Sequence, residues 1–73
     1  LNAGLDVWLN NGQLQFDENT DLEGATISVY SINGQLVASG TSTTPIFINQ
    51  AGVYVVNVLT KEGRTYNVKI VKM

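Results

Sequence analysis

The chain of 73 residues has no cysteine, no histidine, a single proline and only 14% charged residues. Without histidine it lacks the usual general base and the commonest metal ligand. Without either residue there is no Ser/His/Asp or Cys/His nucleophilic arrangement. The inventory therefore points away from an enzyme, and no cofactor is expected. The absence of cysteine also means that no disulfide holds the fold, and it leaves the redox compartment open. No unbroken apolar run approaches the ~20 residues of a membrane helix, so direct insertion into a bilayer is not expected. Nor does a basic segment followed by an apolar one open the chain, and the expectation is an excerpt from a longer precursor.

What is present suits one small domain. Hydrophobic residues make up 44% of the sequence, too many for a disordered segment, and the length leaves room for one core of modest stability. The net charge of −2 hides a polarity. Asp6, Asp17, Glu18, Asp21 and Glu23 give −5 over the first sixty residues, whereas Lys61, Glu62, Arg64, Lys69 and Lys72 give +3 over the last thirteen. So acidic a chain is a poor partner for nucleic acid. Its basic end reads equally as a recognition feature or as the charge that keeps an edge strand soluble.

Glycines at 4, 12, 24, 34, 40, 52 and 63 cut the chain into pieces of about ten residues, rich in Val, Ile and Thr with period-two alternation. No piece sustains a helical period. Leu5, Val7 and Leu9 lead through Asn10-Asn11-Gly12 into Leu14 and Phe16, a first hairpin. Residues 25–32 alternate, and Asn33-Gly34 predicts a type I′ turn before Gln35 to Ala38. A short strand at Ile46 to Ile48 is expected after Pro45, which fits a strand start or an edge. Residues 53–60 are apolar on both faces, which predicts a central strand covered on both sides, and a last hairpin leads to Tyr66, Val68 and Ile70. The expected fold is all-β, a seven-stranded immunoglobulin-like antiparallel β-sandwich in one domain over residues 1–73.

Two constellations invite a ligand. The stretch from Asp17 to Gly24 resembles a calcium loop at its first, third and fifth positions, but Leu22 stands at the sixth and Ser28 at the twelfth, so an ordinary solvated loop is expected. Trp8 with Tyr30, Tyr54 and Tyr66 would make a sugar-stacking platform if several shared an exposed face. Packing is the expected role of aromatics in so small a domain.

The run 25–73, about two thirds of the chain, resembles the C-terminal sorting domains of proteins exported by the type IX secretion system of Bacteroidetes. The matching pieces are Ile27-Ser28-Val29-Tyr30-Ser31-Ile32-Asn33-Gly34-Gln35-Leu36-Val37, then Gln50-Ala51-Gly52-Val53-Tyr54-Val55-Val56-Asn57-Val58, and the ending Lys69-Ile70-Val71-Lys72-Met73. Many members open with Tyr-Pro-Asn-Pro, which Leu1 to Leu5 lack, so no cleavage site is assigned. The resemblance implies a folded address without catalytic or metal-binding residues. Outer-membrane translocon components would recognise it after the cargo reaches the periplasm, and a sortase-like peptidase would remove it as the cargo passes to the cell surface or the medium. It also implies that Gly52, Tyr54, Lys69, Ile70, Val71, Lys72 and Met73 serve recognition or the fold that recognition requires, with Gly52 and Tyr54 the more structural pair. Edge strands leave a homodimer open. The competing expectation is a generic immunoglobulin-like interaction or carbohydrate-binding module of a surface protein, with Trp8 on the sugar.

Overall fold

The computed structural model describes residues 5–17 and 22–73. It contains β1 (Val7–Asn10), β2 (Gln13–Phe16), β3 (Thr26–Ser31), β4 (Leu36–Thr41), β5 (Gly52–Leu59) and β6 (Thr65–Lys72), with no helix among the described residues. These strands form a four-stranded antiparallel sheet in the order β4-β3-β5-β6 and a two-stranded sheet, β1-β2.

The period-two alternation of β3 and β5 decides which face is buried. Ile27 lies opposite Val58, and Val29 opposite Val56, and all four are fully enclosed. Tyr66 and Ile70 of β6 and Tyr54 of β5 extend this layer, which Leu5, Leu14, Leu22, Ile46 and Ile48 cover from the other side. The inner face of the large sheet therefore packs on the β1-β2 hairpin and the segment 46–48.

That segment is not the full strand expected from the sequence. Only Phe47 bridges to β2, opposite Gln13. The Leu14 N–H donates to the Ile46 carbonyl, and the Ile48 N–H to the Gly12 carbonyl. The turn at 42–43 leads into the segment on one side, and the bend at Gln50 closes it on the other. Six strands result among the described residues, and the expected seventh contributes a single bridge. Gly40 makes this approach close: a Cβ there would lie 3.3 Å from the Ile46 side chain.

The turn chemistry is also redistributed. Asn33-Gly34 is not a type I′ turn, because that type needs positive φ at both central residues and Asn33 does not have it. Instead the Ser31 carbonyl accepts from the Gly34 N–H, the Ser31 N–H donates to the Gln35 carbonyl, and Gly34 takes a φ of 88°. This is a three-residue loop with a glycine bulge. Ser31 Oγ then accepts the Gln35 N–H that the bulge would otherwise strand. The hairpin between β5 and β6 repeats the device: Thr60 bonds Gly63 and Arg64 in the same way, Gly63 has a φ of 92°, and Thr60 Oγ1 accepts the Arg64 N–H. The primed turn lies at Asn11-Gly12, where φ is 53° and 84°.

β5 departs from expectation on its second face. Tyr54, Val56 and Val58 are buried, but Val53 and Val55 are half-covered and Leu59 is exposed. The second sheet is used on the inner face, and no described element packs on the outer one.

These turns make a direct prediction for chemical denaturation. Asn11→Ala places alanine at positive φ and lowers stability by about 1 kcal/mol, as does Gly34→Ala, whereas Asn33→Ala changes it by less than about 0.5 kcal/mol.

Candidate functional site

β5 joins β6 through the Thr60–Arg64 hairpin, and the hydrogen bond that closes it sets the parity of the whole ladder. Because the Thr60 N–H donates to Arg64, hydrogen-bonded pairs alternate outward from there. In the register Val58↔Tyr66, Val56↔Val68, Tyr54↔Ile70 and Gly52↔Lys72, the even-numbered residues of β6 therefore spend their backbone groups on β5. Thr65, Asn67, Lys69 and Val71 turn theirs away from β5, to an edge that no described strand pairs with. The same parity sends their side chains to the outer face, and all four are exposed.

The two edges of the large sheet differ. β4 carries a register shift where it passes Val29 and Tyr30, a bulge that bends the edge and breaks the row of backbone groups. β6 runs for eight residues with no shift. β1 comes close to β6, yet among the described residues no backbone ladder joins them. Proteins usually guard such an edge with bulges, prolines or charge, and along β6 the outward-facing charge is Lys69.

The outer face beside this edge is apolar along one half. Leu36, Tyr30, Val55 and Lys69 form a row across all four strands, and Val53 stands opposite Val71 next to it. The next row is polar: Ser39, Ser28, Asn57 and Asn67, with Asn57 Nδ2 donating to Asn67 Oδ1 at 2.8 Å. Val71 is 55% exposed and Met73 96%.

The residues singled out from the sequence thus separate by role. Ile70 and Tyr54 are core, and the Tyr54 hydroxyl donates to the Gln50 carbonyl at 2.6 Å, clamping the turn that leads into β5. Gly52 opens that strand beneath the Tyr54 ring. Lys69, Val71 and Met73 are exposed, and Lys72 is half-buried at the end of the ladder. Arg64 is fully exposed, and a hydrogen bond from its side chain to Tyr66 raises its pKa further, so it stays cationic.

The other constellations do not assemble. Glu18, Asn19, Thr20 and Asp21 of the acidic stretch lie outside the described residues. Glu23 pairs with Lys61 at 3.6 Å on the surface, an interaction of small energetic weight. Among the described residues no group of three or more potential metal ligands occurs. The four-aromatic platform is absent: Tyr54 and Tyr66 are buried, Tyr30 lies on the outer face of the large sheet, and Trp8 belongs to the small one. Sequence reading missed Phe47, 54% exposed opposite Gln13, because it read that residue only as part of a short strand.

Comparison with protein-family models, with curated proteins and with solved structures gave no match.

The division of labour is measurable on the isolated domain. Tyr54→Phe removes the bond to Gln50 and lowers stability by about 1 kcal/mol, while Lys69→Gln shifts it by less than about 0.5 kcal/mol in the same denaturant titration.

Proposed function

We propose that the chain is a C-terminal sorting domain of the type IX secretion system, an immunoglobulin-like sandwich that works as a folded address and does no chemistry. The immunoglobulin-like arrangement is part of the proposal: with 46–48 counted beside β2, three strands face four. The observation that carries the reading is the unbulged edge of β6, unpaired among the described residues, which holds the basic and aliphatic ending Lys69-Ile70-Val71-Lys72-Met73. The resemblance of residues 25–73 to that family adds the biological context.

An outer-membrane translocon component adds a strand to β6. Backbone pairing with Thr65, Asn67, Lys69 and Val71 supplies affinity, and the side chains of Lys69 and Val71, next to the apolar row of Tyr30 and Val55, supply specificity. Each backbone bond adds about 0.5–1.5 kcal/mol, so a few pairs give a signal that binds and releases. Export carries the cargo from periplasm to surface or medium, where a sortase-like peptidase removes the domain. The core residues Tyr54 and Ile70 act by holding the edge straight.

The test fuses the chain to the C-terminus of a periplasmic reporter in a host with the type IX machinery. The expected result is reporter outside the cell. Val71→Pro removes an edge-facing N–H that no bond among the described residues uses, and export should fall at least about tenfold while the domain stays folded; Val71→Thr should export normally. A folded fusion retained in the periplasm overturns the proposal, as does undiminished export after deletion of Lys69 to Met73.

A further inference from the structure

The outward face of the small sheet has a composition that the export reading does not use. The register places Trp8 opposite Gln15 and Asn10 opposite Gln13 in β1 and β2, and Phe47 opposite Gln13 on the far side of β2. Continued by two residues, the same register sets Pro45 opposite Gln15. Leu9, Leu14, Ile46 and Ile48 point into the core or pack on it, so these six side chains share the opposite face. Two exposed aromatics, Trp8 at 47% and Phe47 at 54%, thus flank a centre of three amides. With strands ~4.8 Å apart and ~3.4 Å per residue, the two aromatic anchor points stand roughly 12 Å apart along a diagonal.

We infer that this face is a binding site for a neutral glycan chain. Charge narrows the occupant first: no lysine or arginine lies on these strands, and the charges beside them are acidic, Asp6 and Asp17 at one end of the hairpin and Glu23 in the adjoining cleft, so a phosphate or sulfate polymer meets no cation. A purely apolar protein surface is also disfavoured, because covering Asn10, Gln13 and Gln15 would leave their donors and acceptors unpaired. Sugar rings satisfy both demands. Their C–H faces carry partial positive charge and stack on the electron-rich faces of Trp8 and Phe47, and their hydroxyls both donate and accept, matching each amide's NH2 and C=O. A cleft of about 520 Å³ runs along β2, lined by Gln13, Gln15, Thr43 and Glu23 together with the apolar Leu14 and Leu22, so polar groups continue beside the face.

Trp8 is the only tryptophan in the chain, so its fluorescence reports this face directly. The intact domain is titrated with cellohexaose, chitohexaose and a mannohexaose, with heparin as the anionic probe. A saturable change in Trp8 emission is expected with at least one neutral hexasaccharide, at a Kd of about 1 mM or tighter. Gln15→Ala and Phe47→Ala, checked for a native circular-dichroism spectrum, each weaken it about tenfold. No response to any of the three overturns the inference, and so do a response to heparin alone, undiminished binding in both variants, or an emission change that follows protein concentration without sugar and so marks a second copy as occupant. Export depends on β6 in the other sheet, so the two readings fail independently.

Discussion

Two cross-strand pairs at the centre of the large sheet, Ile27 with Val58 and Val29 with Val56, set the constraint on which the rest of the structure depends. All four side chains are fully enclosed, and each contributes about 1.5–3 kcal/mol of burial. A domain of this size has only a modest surplus over chain entropy. No disulfide shares the task. A strand has only two faces, so once Val56 and Val58 point inward, Val55, Asn57 and Leu59 must point outward. Parity passes through the Thr60–Arg64 hairpin into β6 and there fixes both which side chains are displayed and which backbone groups remain free.

This parity connects packing to the proposed role in export. The tail is displayed because it is part of a ladder: Ile70 is locked into the core, and its neighbours Lys69 and Val71 are held outward with their backbone groups at a straight edge. A disordered peptide of the same sequence would bear the ordering entropy at the moment of binding, whereas the folded strand has already borne it. The contrast with β4 fits the same logic, since a bulge spoils that edge for pairing and leaves the β6 edge for recognition. The Trp8 and Phe47 face lies on the other sheet, so a glycan and an added strand would not compete.

Much of this was legible in the sequence because alternation and glycine spacing are local signals. The all-β class, the placement of β1, β2, β3, β5 and β6 and the alternation that buries Ile27, Val29, Val56 and Val58 follow from them, whereas β4 runs on to Thr41, past the expected end at Ala38. Three features were not legible. Asn33-Gly34 has the composition of a primed turn, but Ser31 Oγ accepts the Gln35 N–H and stabilises a longer loop, a side-chain contribution that the dipeptide does not report. Val53 and Val55 carry a core composition, yet coverage depends on how many layers the chain can build. The grouping of Trp8 with Gln15, Gln13 and Phe47 depends on register between segments more than thirty residues apart in the case of Phe47, so the Tyr and Trp content alone suggested the wrong platform. The outward half of β6 lay between these cases: its composition was visible, but its edge position needed the strand order.

Amide hydrogen exchange resolved by residue along β6 tests the central claim most directly, because it reads the free edge without reference to any partner. The account predicts an alternating pattern, with Tyr66, Val68, Ile70 and Lys72 protected by β5 and Thr65, Asn67, Lys69 and Val71 exchanging close to the rate of an unstructured chain. Uniform protection along the strand would mean that another segment or a second molecule already covers the edge, and uniform fast exchange would mean that the tail is not held in the sheet; either would contradict it.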